Sequence, residues 1–375
     1  MKIAYVSNSR FPSEKAQSDH VMAMCASFAA LGHEVRLFVP ERRPVMAEDP
    51  FVYYGKSKTF SFERVACVDG LRFRWLGPLG LWIQTATFTR NLSRRLAAFA
   101  PDVTYSRELY TFSRYVPGKH VWESHSLHAG NWAKRIMRSL DGIVTLTNAS
   151  RDRILENGVE GKRVFVEPDA VDPSLFEYAP SRVDARRELG IREDETLCVY
   201  VGKFTTMGMP KGIDESIAAV SQLRRAGMAV RLLAVGATPD ELVRYTEKKN
   251  EGIEFIGHQP QAGLNRFYAA ADILLMPFPY TEHYAFFMSP LKMFEYMMSG
   301  VPMVVTDLPS VRDILSEREA MFAKPGDAAS LAEAITSIME HPSESRARAD
   351  AAKQLSTRYT WTERATRIAS WLKGV

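Results

Sequence analysis

The segment SPLKMFEYMMSGVP at 289–302 has the composition of a helix whose first turn can bind an anion. We expect Ser289 at the N-cap and Pro290 at the first helical position, which leaves amides near Leu291 and the positive end of the helix dipole free for a ligand. Glu295 follows about one and a half turns later, where its carboxylate could accept hydrogen bonds from vicinal hydroxyls such as those of a ribose. An ordinary capped helix with a solvated glutamate is the alternative.

Two lysines follow an apolar segment at 197–202 that is typical of a buried strand. Lys203 comes directly after Gly202, and Lys211 stands where the next predicted helix begins. Because ligands of open parallel sheets bind at the carboxyl ends of the strands, two ammonium groups there could neutralise a diphosphate in place of a metal ion. Ordinary surface lysines in a loop are the alternative.

A histidine, His125, ends the segment WESH at 122–125, directly after another apolar strand segment. At the carboxyl end of a strand it could act as an acid, a base or a hydrogen-bond donor. His128 follows three residues later, but the spacing offers no carboxylate or thiolate partner for a metal site with it. A histidine with a purely structural role is the alternative.

Several common signatures are absent from the sequence. There is no G-x-G-x-x-G after a strand, no G-x-x-x-x-G-K-[ST], no H-E-x-x-H and no G-x-S-x-G, which argues against the usual dinucleotide, ATPase, zinc-protease and serine-hydrolase sites. There is also no D-x-D pair to hold a divalent cation. The three scattered cysteines, Cys25, Cys67 and Cys198, are predicted to be buried free thiols.

The elements that must position these residues alternate between strand and helix. Parallel strands are predicted at 2–7 and 35–39, joined by a helix over 18–31 that ends at Gly32. Four further strands are predicted in the first half of the chain, at 103–105, 120–124, 142–147 and 163–168. This alternation predicts an α/β fold with a doubly wound sheet.

The same alternation restarts after a polar stretch at 180–195. Strands are predicted at 197–202, 230–236, 253–257, 273–278 and 302–307. Helices are predicted at 211–226, 239–249, 262–271 and 289–299. The whole chain therefore predicts two Rossmann-like domains that face a cleft.

Length and composition agree with two folded domains, since the chain has 375 residues, of which 46% are hydrophobic and 25% charged. No stretch approaches the roughly 18 apolar residues of a membrane span, and the N-terminus lacks the pattern of a signal peptide, so a cytosolic protein is expected. Residues 51–100 carry eight basic and two acidic residues. We therefore predict a basic face in the first half, and the lack of aromatic stacking motifs argues against nucleic acid as its partner.

An apolar run, WLGPLGLWI at 75–83, is followed by Arg90, Arg94 and Arg95 on a predicted helix. Tryptophans at the headgroup level and arginines on anionic lipid would make residues 75–95 a weak peripheral membrane element. A buried core segment is the alternative.

With these residues in view, the sequence resembles a family-4 retaining glycosyltransferase of the GT-B fold over almost its whole length. In the C-terminal half, SPLKMFEYMMSGVPMVVTD, PSVRDIL, AKPGDAASLAEAI and YVGK with a downstream KG resemble the family's donor-binding half. In the N-terminal half, SDHVMAMCASFAALGHEV, the pair at 106–107, WESH and VEPDAVD resemble family blocks. The final TWTERATRIASWL resembles the closing helix that returns to the first domain.

The resemblance implies a nucleotide diphosphate sugar, UDP- or GDP-linked, as donor, with no metal ion or other cofactor. Lys203 and Lys211 would contact the diphosphate and Glu295 the ribose, and together with His125, which would lie beside the transferred sugar and the acceptor, they form the predicted catalytic set. The remaining donor-binding residues implied by the resemblance are Gly257 near the base, the amides around Pro290 and Leu291, and the flanking Ser289 and Lys292.

The resemblance also implies the organisation and the reaction. Residues 1–178 would bind the acceptor, 179–355 would bind the nucleotide sugar, and 356–375 would form the helix that packs back on the first domain. The reaction would move a hexose of the mannose, glucose or GlcNAc type, with retention, to a glycan or lipid-linked acceptor in bacterial polysaccharide or glycolipid synthesis. Another GT-B activity, such as an inverting transferase or an epimerase, and a catalytically silent binding protein are the alternatives.

The sequence departs from the family pattern at three places. Phe287 stands where the family often has a glutamate eight residues before Glu295, which puts contact with the sugar hydroxyls in doubt. Lys203 replaces a frequent arginine, so the charge is kept but the planar fork is lost. The loop at 8–18 contains no glycine, whereas the family has a glycine-rich loop there.

Overall fold

The structure is a computed structural model that describes residues 1–13, 16–43, 47–126, 128–247 and 251–374. It divides into an N-terminal unit, Met1–Pro168 with Trp361–Val375, and a C-terminal unit, Asp169–Thr360. The boundaries expected from the sequence are 178/179 and 355/356, and the structural division lies at 168/169 and 360/361.

Fifteen strands occur among the described residues. In chain order they are β1 Lys2–Val6, β2 Glu34–Pro40, β3 Ser61–Val65, β4 Val103–Ser106, β5 Lys119–Ser124, β6 Gly142–Thr145, β7 Val164–Val166, β8 Thr196–Val201, β9 Thr205–Thr206, β10 Met209–Pro210, β11 Val230–Ala237, β12 Ile253–Gly257, β13 Ile273–Met276, β14 Met303–Thr306 and β15 Met321–Ala323.

The α-helices of the described residues alternate with these strands. In chain order they are α1 Ala16–Ala30, α2 Pro50–Tyr53, α3 Gly77–Phe99, α4 Asn131–Ser139, α5 Asn148–Glu156, α6 Arg182–Glu188, α7 Ile213–Arg225, α8 Pro239–Thr246, α9 Asn265–Ala270, α10 Leu291–Ser299, α11 Pro309–Arg312, α12 Ala328–Glu340, α13 Pro342–Ser356 and α14 Trp361–Leu372.

The N-terminal unit is built on a seven-stranded sheet in the order β3-β2-β1-β4-β5-β6-β7, and every pairing in it is parallel. One side of the sheet is filled by a cluster that includes Phe38, Phe88 and Trp122. On the other side α1 contributes Met24 and other buried side chains, and α14 packs on α1. The predicted C-terminal helix that returns to the first domain is therefore confirmed.

The C-terminal unit holds a six-stranded parallel sheet in the order β12-β11-β8-β13-β14-β15 and a short antiparallel hairpin of β9 and β10. Side chains of β8 alternate between two apolar clusters, with Val199 and Val201 in one and Cys198 and Tyr200 in the other. This period of two shows that both faces of the sheet are covered. The α/β fold class with two parallel sheets is confirmed.

Several elements escaped the sequence analysis. Strands β3 and β15 were not predicted, because Ser61, Glu63 and Arg64 interrupt the apolar pattern of β3 and β15 has only three residues. The helix predicted at 239–249 ends at Thr246, and positions 248–249 lie outside the described residues. Cys67 is half-buried, whereas Cys25 and Cys198 are buried as predicted, and all three are free thiols.

The apolar run at 75–83 lies at the start of α3 and is not part of the core. The exposed fractions are 81% for Trp75, 67% for Trp82 and 53% for Leu79. The buried face of α3 begins with Gly80 and Gln84 and continues with Phe88 and Leu92. The alternative of a buried segment is therefore wrong. Among the described residues, none of the helices combines the length and hydropathy needed to cross a bilayer.

Candidate functional site

The start of α10 lies one residue later than the sequence suggests. Pro290, and not Ser289, is the N-cap, with an extended ψ of 125°, and no side chain caps the helix. The Ser289 hydroxyl instead accepts a hydrogen bond from the backbone N–H of Asp169 at 2.9 Å. The prediction of a serine N-cap is wrong for this reason, but the first amides of α10 still lack a side-chain cap, as an anion-binding helix start requires.

The side chain of Lys292 is buried in the first turn of α10. Its Nζ lies 3.6 Å from the ring centroid of Tyr200 and 5.3 Å from that of Phe278. Among the described residues Nζ has no hydrogen-bond partner, and burial together with the charge of Lys211 lowers the pKa of its amine well below the ordinary value. A buried amine between two aromatic rings and without an acceptor is suited to receive an anion.

The residue facing this amine has to be a glycine. Gly202 follows β8 with a φ of 129°, and a Cβ built on it would lie 2.8 Å from the Nζ of Lys292. Both the backbone conformation and the space therefore exclude a side chain. Gly202 brings the backbone at the carboxyl end of β8 against the start of α10.

Lys203 and Lys211 lie at the same end of the sheet. Lys203 is exposed, and its carbonyl accepts a hydrogen bond from the Tyr200 hydroxyl at 2.7 Å. Lys211 follows the β9–β10 hairpin, and its N–H donates to the carbonyl of Phe204 at 2.9 Å. Burial, and secondarily the charge of Lys203, lowers the pKa of Lys211 to about 8. Lys211 therefore lies within electrostatic range of both Lys203 and Lys292.

Glu295 is 8% exposed, so the alternative of a solvated glutamate is wrong. The hydroxyl of Tyr268 donates to its Oε2 at 2.7 Å, which fixes the carboxylate one turn inside α10. Gly257 is the last residue of β12, and a Cβ there would meet no atom nearer than 3.9 Å. Phe287, at the position of the missing glutamate, ends a π-helical turn, His283–Phe287, and is half-buried.

In the N-terminal unit, His125 follows β5 and contacts a glutamate that the sequence analysis did not single out. The Nε2 of His125 lies 2.5 Å from Oε1 of Glu123, and the Nε2 of His20, on α1, lies 2.7 Å from the same oxygen. The pKa of His125 is lowered to about 4, mainly by burial, so its imidazole is neutral at pH 7. The WESH segment contained this partner, two residues before the histidine.

The same carboxylate has two further partners. Oε2 of Glu123 accepts a hydrogen bond from the Tyr105 hydroxyl and lies 3.3 Å from Nη1 of Arg364 on α14. The Glu123 and Arg364 side chains are both fully buried. Although burial opposes it, the charges of Arg364 and His20 hold the pKa of Glu123 well below its ordinary value.

His20, Glu123 and His125 each offer one atom that could ligate a metal ion. The nitrogen–oxygen separations of 2.5 and 2.7 Å are hydrogen-bond distances, however, and a guanidinium already neutralises the carboxylate. These residues therefore favour a hydrogen-bonded array over a metal site. His128 does not join it, because its ring packs on Trp122 at a centroid distance of 5.6 Å.

Two more charged residues lie at the carboxyl end of the N-terminal sheet, just after β4. Nε and Nη1 of Arg107 are buried without a hydrogen-bond partner among the described residues. Burial raises the pKa of Glu108 to about 6. In the sequence, Arg107 stands out only as part of the pair at 106–107 that resembles a family block. Its buried nitrogens could not be predicted, because their burial depends on the tertiary structure.

Comparisons with known proteins agree over both halves of the chain. Residues 17–175 match the family model described as Glycosyltransferase Family 4, and residues 195–341 match the one described as Glycosyl transferases group 1. A glycogen synthase of Mycobacterium tuberculosis is 26% identical over 93% of this chain and 89% of its own length. A D-inositol 3-phosphate glycosyltransferase of Corynebacterium urealyticum is 23% identical, with coverages of 98% and 94%.

Solved structures share the fold. A sucrose-phosphate synthase from Thermosynechococcus elongatus has a TM-score of 0.77 at 19% identity and covers 100% of this chain and 98% of its own. Anabaena HepE in complex with UDP-glucose has a TM-score of 0.73 at 15% identity and covers 100% of both chains.

Proposed function

This chain is a glycosyltransferase of the GT-B fold with a family 4 domain and a group 1 domain, and we propose that it transfers a hexose, with retention, from a UDP- or GDP-linked donor to a glycan or lipid-linked acceptor. The proposed donor site lies in the C-terminal unit and the proposed acceptor site in the N-terminal unit. UDP-glucose is our first choice of donor, since HepE was crystallised with it.

The main evidence for the proposed donor site is the group of amines at the carboxyl end of β8. Lys292 lies in the first turn of α10, which no side chain caps, and its Nζ is buried without a partner among the described residues. Lys211 is electrostatically coupled to both Lys292 and Lys203. A diphosphate would supply the acceptor oxygens and the negative charge that these groups lack. Three amines also supply the charge that a divalent cation provides elsewhere, so the proposed transfer is metal-independent.

The proposed mechanism depends on the charge that develops when the glycosidic bond to the diphosphate breaks. Lys203 and Lys211 stabilise the leaving diphosphate, and interactions that strengthen as charge develops lower the barrier. Glu295 holds the ribose hydroxyls, Gly257 lies near the base, and the backbone N–H groups of Leu291 and the residues that follow it, just after Pro290, cradle a phosphate. The leaving phosphate helps to deprotonate the acceptor hydroxyl on the same face of the sugar, which retains the anomeric configuration.

For the acceptor side we propose that His125 contacts the transferred sugar and that the start of α3 lies on an anionic membrane surface. Trp75, Leu79 and Trp82 are exposed there, and Arg90 and Arg94 follow on the same helix. Exposed apolar side chains next to arginines bind interfaces that carry anionic lipid. A lipid-linked acceptor would then reach the N-terminal unit from the membrane.

The experiment that tests the function is turnover of UDP- and GDP-hexoses by purified protein, followed by NMR of the anomeric proton in the product. We expect retention, and Lys211→Ala and Glu295→Ala should each lower kcat/KM by about 10²-fold or more, because buried charged contacts contribute about 3 kcal/mol. Lys162→Ala and Glu333→Ala remove exposed charges and serve as matched controls.

Three outcomes would contradict the proposal. An inverted product would make the chain an inverting transferase. Unchanged turnover in both site variants would remove the catalytic role of these residues. Nucleotide-sugar binding without turnover of any acceptor glycan or lipid-linked sugar would favour the silent binding protein, which the phenylalanine at 287 makes the strongest rival.

A further inference from the structure

We propose that Glu123 is a positioning residue that sets the tautomer and orientation of His125, and that Arg364 on the closing helix holds the Glu123 carboxylate for this task. The inference rests on the proposed function only in taking His125 as a sugar contact. Its evidence is the hydrogen-bonded array inside the N-terminal unit.

The tautomer follows from the chemistry of the contact. A buried carboxylate flanked by a guanidinium accepts hydrogen bonds and donates none, so the His125 Nε2 that lies 2.5 Å from Oε1 must carry the proton. Because the imidazole is neutral, Nδ1 then keeps its lone pair. Among the described residues Nδ1 of His125 makes no hydrogen bond. It is therefore available to accept a hydrogen bond from a hydroxyl of the ligand.

The ring is also held in orientation. His20 packs edge-on against His125 with ring centroids 5.1 Å apart, and Trp361 packs edge-on against His20 at 4.9 Å. His20 shares the Oε1 atom of Glu123 with His125. The position of His125 therefore depends on β5, α1 and α14, not on its own loop alone.

Arg364 connects this array to the segment at which the chain leaves the unit. Its Nε donates to the carbonyl of Pro168 at 2.7 Å and its Nη2 to the carbonyl of Glu167 at 3.3 Å, while Nη1 reaches Glu123. Pro168 is the last residue of the unit before the chain crosses over, and α14 begins where it returns. The Arg364 guanidinium therefore links the end of the first segment of the unit, at 167–168, and the start of α14 to the carboxylate that contacts His125.

A purely structural ion pair is the competing explanation. A buried pair gains little net stability, because desolvation of both ions offsets their attraction. Arg367 provides the matched control, since it lies on the same helix and makes a bidentate pair with the carboxylate of Glu167 at 2.7 and 2.9 Å and a second ion pair with Glu363.

The first test is ¹⁵N NMR of the full-length protein labelled at histidine, with His125 assigned by its loss in His125→Asn. We expect a neutral ring with the proton on Nε2. In Glu123→Gln, the fraction protonated at Nδ1 should rise, because an amide can donate to Nε2 as well as accept from it. Arg367→Gln should leave the His125 resonances unchanged. A wild-type ring protonated at Nδ1 would overturn the proposal without any variant.

The second test is kinetic. Glu123→Gln and Arg364→Lys should lower kcat at least about tenfold while the KM for the donor and the affinity for UDP stay within about twofold, since the donor site lies in the other unit. Arg367→Gln should keep near-wild-type kcat. An equal loss in Arg364→Lys and Arg367→Gln, or a loss in Glu123→Gln with unchanged His125 resonances, would show general damage and overturn the role.

Failure of the proposed function would be visible separately. If His125→Asn leaves turnover unchanged, His125 is not a sugar contact, but the NMR experiment still decides whether Glu123 sets its tautomer. If Glu123→Gln folds poorly, Tyr105→Phe is the second variant, because it removes only the hydroxyl that donates to Oε2 of Glu123. It should raise the fraction of His125 protonated at Nδ1 as well, by a smaller amount. An unchanged tautomer in Tyr105→Phe would contradict the proposed role of Glu123.

Discussion

At the residue scale, two of the three amines of the proposed donor site, those of Lys292 and Lys211, are partly or wholly removed from water before any ligand arrives. Lys292 has two aromatic rings and a glycine as its near neighbours, and Lys211 is half-buried and within electrostatic range of two other amines. Desolvation and mutual repulsion disfavour their charged forms. An arriving diphosphate would reverse both effects, so proton binding and donor binding should favour each other.

A pH prediction follows for Lys211. Its pKa in the free protein is about 8, so the ammonium fraction falls as pH rises through that value, and diphosphate affinity should fall with it. From pH 7 to pH 9 we expect the Kd of UDP to rise about tenfold, one pKa unit being about 1.4 kcal/mol. Isothermal titration calorimetry over this range measures it.

Lys211→Arg keeps its charge over the whole range and should flatten the Lys211 part of that curve. Lys162→Arg is the control at an exposed site. An identical rise of Kd in the wild type and in Lys211→Arg would show that Lys211 does not control the pH dependence. The stability of the free protein depends on pH in the opposite sense to its diphosphate affinity. The unfolded chain binds the Lys211 proton more tightly than the folded chain does. The free energy of unfolding therefore rises as the pH increases from the folded pKa of about 8 to the ordinary Lys pKa of about 10.4.

At the element scale, α3 separates two tasks along its length. Its later turns bury Phe88, Leu92 and Leu96 against the N-terminal sheet, whereas its start leaves tryptophan and leucine side chains in water. Exposing such side chains costs free energy unless another surface covers them. The proposed membrane surface would cover them, and Arg90 and Arg94, which follow on the same helix, would contact its anionic lipid.

Vesicle flotation tests the start of α3. We expect recovery with vesicles that contain anionic lipid and little with neutral ones, and Trp75→Ser with Trp82→Ser should lower the bound fraction about tenfold or more, given roughly 25 cal/mol per Å² of apolar area. Trp132→Ser removes an exposed tryptophan elsewhere in the unit and should bind like the wild type. Equal recovery with both lipids, or equal loss in all variants, would remove the membrane proposal.

At the scale of the whole molecule, the chain completes its first unit last. The N-terminal unit lacks α14 until the C-terminal unit has been made, and α14 buries Trp361, Arg364 and Ile368. The two units have separate sheets and separate cores. A ligand of one unit should therefore stabilise that unit directly.

Differential scanning calorimetry with UDP measures this effect. At a hundred times its Kd, UDP should stabilise the C-terminal unit by about 2.7 kcal/mol, a rise in Tm of about 5–10 °C for a unit of this size. UMP, which lacks the second phosphate, should give a smaller shift. If a variant with both Lys203→Ala and Lys211→Ala shows the wild-type shift with UDP, the nucleotide binds elsewhere.

Much of the architecture was predictable from the sequence. The central strands of both sheets consist of apolar runs bounded by turn residues, and this pattern reflects burial on both faces. Edge strands such as β3 carry a weaker pattern, and the two-residue strands of the β9–β10 hairpin are too short to have one. The prediction of Ser289 as N-cap was wrong because its hydroxyl accepts a hydrogen bond from the backbone N–H of Asp169, which is distant in sequence.

The sequence by itself determined the fold class, the lysines near the carboxyl end of β8 and the presence of the α10 helix, though not its first residue, because these depend on local pattern and on the known geometry of parallel sheets. Only the tertiary structure decided that Lys292 is buried without a partner and that Glu123 holds His125. Both facts depend on residues far apart in the chain, Lys292 with Tyr200 and Glu123 with Arg364. Burial and long-range pairing leave no periodic trace in a single sequence, since they arise only when separate elements pack.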